Sequence, residues 1–251
     1  MTEWASDIAE LVGAVVLDDA IAEITTAEAV AIATATKATR LQAISIARGE
    51  SWRQLRARNI FPYDLRLVQA GTDPVSALTV IERTALALIG RVQLEVADAA
   101  FLFGVKPKQF ETIFKKAKIQ LIRATTAITL ISGDSRCPAV VSGKHRFGTA
   151  MDRRKSMHFV AHAGECSICV PVLREIDHTI WDVYQAAEKM SYQPATAEPT
   201  DVAKIVARAK LNDGFSIALA DDFRDQTKVL KRAVWVGAVS SILLGLGLLL
   251  S

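Results

Sequence analysis

The sequence predicts an all-α protein, and three observations carry that expectation. Residues 3–24 alternate small apolar groups with Asp and Glu, and residues 27–47 are rich in Ala, Thr and Ile with neither Gly nor Pro. Between 73 and 130, apolar residues recur at three- and four-residue spacing, the period of a half-buried helix. Residues 233–250 form an uncharged apolar run long enough to cross a bilayer as a helix. The expected organisation is a helical amino-terminal region (1–72), a helix-turn-helix segment (73–132), a small helical domain (133–193), a linker with a juxtamembrane helix (194–230) and a single carboxyl-terminal transmembrane helix (231–251).

In the first region, Thr25 or Thr26 is placed to cap the second helix, with Glu28 in its first turn. Gly49 is expected to end that helix and Ser51 to cap a short one through Trp52, Leu55 and Arg56. Asp18 and Asp19 read as a helix end rather than as paired catalytic carboxylates. Pro62 opens a further helix that runs to Gly71. Residues 49–71, from Gly-Glu-Ser-Trp-Arg-Gln-Leu to Leu-Val-Gln-Ala-Gly, resemble the cytoplasmic helical repeat of inner-membrane platform proteins of type II secretion. The likeness covers one repeat; that family's second repeat and paired membrane spans have no counterpart in the sequence.

Asp73 and Pro74 are suited to open the next helix as N-cap and first residue, with Val75, Leu78, Ile81, Ala85 and Ile89 along one side. A helix-turn-helix follows. Ala100 is small enough for two helices to cross closely, and Gly104 tolerates the left-handed backbone that ends a helix. Phe103, Val105, Phe110 and Ile113 bury one side of each helix, while Pro107 fits the first turn of the second. The outer face of that second helix is basic: Lys106, Lys108, Lys115, Lys116, Lys118 and Arg123 against the single acid Glu111. Phosphate is the partner this pattern favours.

Glu82-Arg83 at the head of an apolar helix, the pair around Ala100 and Gly104, and Phe110-x-x-Ile-Phe-Lys-Lys-Ala-Lys-x-x-Leu together resemble region 4 of bacterial sigma factors of the extracytoplasmic-function type. In that family the second helix reads a promoter element. The resemblance implies that Lys108, Gln109 and Thr112 face base edges and that Lys106, Lys115, Lys116 and Arg123 complete the DNA contact, the last three on phosphates. Residues 1–70 lack the acidic, aromatic-bearing region that in the family binds polymerase and melts the promoter, so independent sigma activity is not expected.

Beyond Ser132 the chain becomes turn-rich and basic, with Lys144, Arg146, Arg153, Arg154 and Lys155. It then reads His162-Ala-Gly-Glu-Cys166-Ser-Ile-Cys169. Spacings of four and three residues put the imidazole and both thiols on one face of a helical turn, where they can converge on a tetrahedral ion. Cys137 is the leading fourth ligand, since thiolate binds zinc strongly, and His145 and His158 are its rivals. Four protein ligands leave no place for a reactive water, so the expected Zn2+ is structural; release of the metal by thiol oxidation is a further expectation. The pattern is similar to the zinc-binding anti-sigma domain, whose signature is His-x3-Cys-x2-Cys with an upstream His or Cys. A helix from Pro171 should carry Val172, Leu173, Ile176, Ile180, Val183 and Tyr184 on one side.

Three cysteines are too few for a disulfide scaffold, and a net charge of +3 confines any nucleic-acid contact to local patches. The mean hydropathy of +0.24 owes much to the carboxyl-terminal run. Lys228, Lys231 and Arg232 precede that run, which predicts a single-pass anchor in the bacterial inner membrane with the body in the cytoplasm. No Ser-His-Asp set, phosphate loop or supported carboxylate pair points to an enzyme, and His178 with Asp177 reads as surface. The expectation is a membrane-tethered transcription regulator that binds promoter-like DNA or a polymerase or sigma component under control of a zinc module. The alternative is a membrane-anchored module that sequesters a protein partner without binding DNA; homo-oligomerisation is left open.

Overall fold

A computed structural model describes residues 4–60, 73–133, 136–147 and 153–188. Among these residues the fold is all-α: nine helices and one 3-10 turn, without strands. The helix expected over 62–71, the linker of 194–230 and the apolar run of 233–250 lie outside the described residues. Among the described residues no helix is long and apolar enough to cross a membrane.

Helices α1 (Ala5–Val16), α2 (Asp19–Ala35) and α3 (Arg40–Ala57) pack on one another, and α1 packs on α4 (Val80–Gly90). Asp18 caps α2 by accepting from the Ile21 N–H at 3.0 Å, so the two acids mark a helix end as expected. The helical stretch expected over 3–24 is two helices, divided at Leu17, whose backbone is left-handed (φ 58°). The break placed at Gly49 is also moved. Thr25 and Thr26 are buried inside α2, which ends in a Schellman turn at Lys37 (φ 50°), with the Ala38 N–H donating to Ala33 O and the Lys37 N–H to Thr34 O. Thr39 caps α3, exchanging hydrogen bonds with Gln42.

Helix α3 runs through Gly49 because Ile44, Ala47, Ser51, Trp52 and Leu55 form one buried stripe, and a mid-helix glycine costs only about 1 kcal/mol against it. Ser51 is therefore no cap; its hydroxyl donates to Ala47 O within the helix. Asp73 and Pro74 open a 3-10 turn (Pro74–Ala77) rather than α4 itself, whose cap is Thr79 paired with Glu82 in a capping box. Arg83 is buried and donates to Val15 O of α1 and Leu78 O, with burial lowering its pKa to about 10.

The helix-turn-helix is formed as the sequence implied. Helix α5 (Val96–Phe103) ends at Gly104 (φ 65°), where the Val105 N–H donates to Ala100 O and the Gly104 N–H to Phe101 O. Pro107 begins α6 (Pro107–Ser132). Phe110 is fully buried and meets Phe103 edge-on, with ring centroids 5.1 Å apart. Helix α6, about 39 Å long at 1.5 Å per residue, packs on α4, α5, α7 (Pro138–Phe147), α8 (Arg153–Glu165) and α9 (Val170–Ala186), with α9 meeting it at Phe114 and Lys118.

Two glycines give opposite expectations. Gly49→Ala meets nothing within 4 Å and should stabilise by about 0.5–1 kcal/mol through helix propensity. Gly104→Ala must hold a left-handed residue and should cost about 1–2 kcal/mol. Thermal unfolding of the two variants tests this; shifts of the same sign would contradict the helix assignments.

Candidate metal centre

Residue order places three of the four converging ligands around one corner. His162 lies in the last turn of α8, Cys166 directly follows that helix, and Cys169 is the N-cap residue of α9. The corner is closed by backbone bonds from the Cys166 N–H to His162 O (3.0 Å) and from the Cys169 N–H to Cys166 O (3.0 Å). The three are thus brought together by a turn between two helices, not by one continuous helical face as the spacing had implied. Cys137 arrives from the residue before α7.

The ligand atoms of Cys137, His162, Cys166 and Cys169 all lie within 4.8 Å of one another, a group that could hold a metal ion. Cys137 Sγ is 3.1 Å from His162 Nε2 and 3.8 Å from Cys166 Sγ, and Cys169 Sγ is 3.6 Å from the same Nε2. With bonds of about 2.3 Å to sulfur and about 2.0 Å to nitrogen, a tetrahedral zinc has S···S edges of about 3.8 Å and S···N edges of about 3.5 Å. The Cys137–Cys166 and Cys169–His162 edges are those of a tetrahedral site, whereas the Cys137–His162 edge is shorter. Backbone N–H groups of Ile168 and Cys169 lower the Cys166 thiol pKa, whereas burial pushes that of Cys169 up to about 12.

Behind the ligands, Ala127, Leu130 and Ile131 of α6 pack with Val140, Phe159 and Ala163. The sequence pattern did not mark these α6 residues as part of the centre, although they continue the α6 apolar stripe past Ala124. His158 is exposed, its ring edge-on to Phe159, and is not among the converging groups. The His145 side chain lies outside the described residues.

The residues expected at DNA share one helix. Lys106, Lys108, Gln109, Thr112, Lys115 and Lys116 are exposed at the start of α6, and Arg123 is half-buried further along. Gln109 Oε1 accepts from the Lys106 N–H at 3.1 Å and the Thr112 hydroxyl donates to Lys108 O at 3.0 Å, so both side chains are partly engaged in local bonds. Lys118 is not on the open face: its ammonium lies over the Trp181 ring of α9, 4.6 Å from the centroid. On α9, Val183 is 60% exposed, and Trp181 turns inward beside Ile180 and Tyr184 where Val183 was expected. Asp177 and His178 are exposed, as expected of surface residues.

No family model matches the chain, and neither a curated protein nor a solved structure does.

The centre predicts one tetrahedral divalent ion per chain, measured by cobalt substitution and its thiolate charge-transfer absorption. Cys137→Ser and His162→Ala should each weaken binding by more than about 100-fold, since even an outer hydrogen-bond partner of a ligand is worth about 10–100-fold. Native affinity in Cys137→Ser would remove that residue from the ligand set.

Proposed function

We propose that the protein is a membrane-tethered bacterial transcription regulator whose helix-turn-helix binds promoter-like DNA and whose Cys3His centre holds a structural Zn2+. The observation that carries this reading is the continuity of α6. Its first two turns present Lys106, Lys108, Gln109 and Thr112 to solvent, and its last turns wall the metal centre. Three thiols and one imidazole suit zinc, and four protein ligands make the site structural. With Gln109 and Thr112 partly held by local bonds, phosphate contacts from Lys108, Lys115 and Lys116 carry most of the affinity. On this reading the uncharged apolar run 233–250 serves as the inner-membrane anchor, with Lys228, Lys231 and Arg232 on the cytoplasmic side.

The test is binding of the full chain to a pool of genomic DNA across a salt series. Log affinity should fall linearly with log salt, and each phosphate-contacting lysine replaced by Ala should lower the slope by about 0.9. Lys108→Ala with Thr112→Ala should abolish selection among sequences. Absence of binding even at low salt would leave the protein-sequestering module as the function.

A further inference from the structure

Helices α6 and α9 line a cleft of about 350 Å3 whose wall includes none of the candidate metal ligands and shares only Lys115 with the residues proposed to contact DNA. Its size lies within the range of small-molecule sites, roughly 300–1,000 Å3. The wall is apolar, from Ile119, Leu121 and Ile122 on α6 and Ile180 and Trp181 on α9. Ile119 remains 48% exposed there, an aliphatic side chain that the fold leaves uncovered.

The rim has an unbalanced charge. Lys115 and Lys118 line one side and Asp177 the other. Lys118 sits on the Trp181 ring, 4.6 Å from the centroid, a contact that bridges the two helices. Among the described residues no ion pair joins Asp177 to either lysine, so the cleft is lined by two cations, one of them seated on aromatic rings, and one carboxylate. An apolar body buries against the isoleucines, and one negative head satisfies the lysines.

We infer that the α6–α9 cleft binds a small amphiphilic anion, an aliphatic chain of medium length bearing one carboxylate. Such a ligand touches both the helix that presents Lys108 and Thr112 and the helix that begins at Cys169. The inference does not depend on DNA binding.

The experiment is calorimetric titration of the full chain with sodium octanoate, with 1-octanol as the uncharged control of equal length. Saturable binding of one octanoate is expected, with octanol weaker by about fivefold or more for want of the charged contact. Ile119→Asp, which sets a carboxylate against the chain, should weaken octanoate by about tenfold or more, and Asp177→Asn should tighten it. Both positions are surface-accessible, and unchanged circular dichroism and metal content establish that the variants fold. No saturable uptake by the native chain, equal affinity in Ile119→Asp, or octanol binding as tightly as octanoate would overturn the inference. Binding of an acidic amphipathic peptide in place of octanoate would overturn it in favour of a protein partner.

Discussion

The seat of α9 depends on the absence of a side chain at Gly90. A Cβ there would stand 2.9 Å from both the Trp181 and Tyr184 rings, so α9 lies against α4 at a separation that only glycine permits. The two rings are nearly parallel, with centroids 5.7 Å apart, and Phe114 of α6 meets Trp181 edge-on. The next residue, Arg91, completes the joint. Its guanidinium donates to Ala187 O at 2.8 Å, which satisfies a carbonyl just past the end of α9. Its Nε is 3.1 Å from the carboxylate of Glu10, which is only 1% exposed on α1. A carboxylate so buried is tolerated because this cation faces it. One arginine therefore ties the first and last described helices, and burial beside this pair raises the Tyr184 hydroxyl pKa well above its ordinary value.

The metal centre has the opposite character. Its apolar core is small, a few side chains of α6, α7 and α8 together with two of the thiols. A cluster of that size buries too little surface to order three short helices and a corner by itself. The group formed by Cys137, His162, Cys166 and Cys169 could supply the missing constraint by holding an ion, and α6 supplies a wall already ordered by the larger amino-terminal core. The ligands can be contributed by a turn and two helix ends because α6 and the docked α9 hold those ends in place.

Much of this was legible in the sequence where residue type and geometry coincide. Gly104 is a glycine at a left-handed position and Pro107 a proline at a first turn, and Cys137 does converge with His162, Cys166 and Cys169. The break at Lys37 was not legible, and the one at Leu17 was marked only by the acids Asp18 and Asp19 that follow it, because both are left-handed turns made by residues that carry a Cβ. No glycine announces them, and tertiary packing offsets their local cost. Gly49 misled for the complementary reason: a buried stripe on both sides outweighed its poor propensity. The joint at Gly90 was invisible because a close approach between segments some ninety residues apart has no local pattern.

The length of α6 sets what kind of signal can pass along it. Thr112 and Ile131 are nineteen residues apart on one helix, roughly 28 Å at 1.5 Å per residue. Electrostatic influence decays over about 8–10 Å at physiological ionic strength, so the charge state of the thiol cluster is screened from the lysines at the far end. Any message between the two ends is mechanical. Helix α6 is thus a single continuous span between the thiol–imidazole cluster and the exposed lysines of its first turns, too long for charge at one end to be felt at the other.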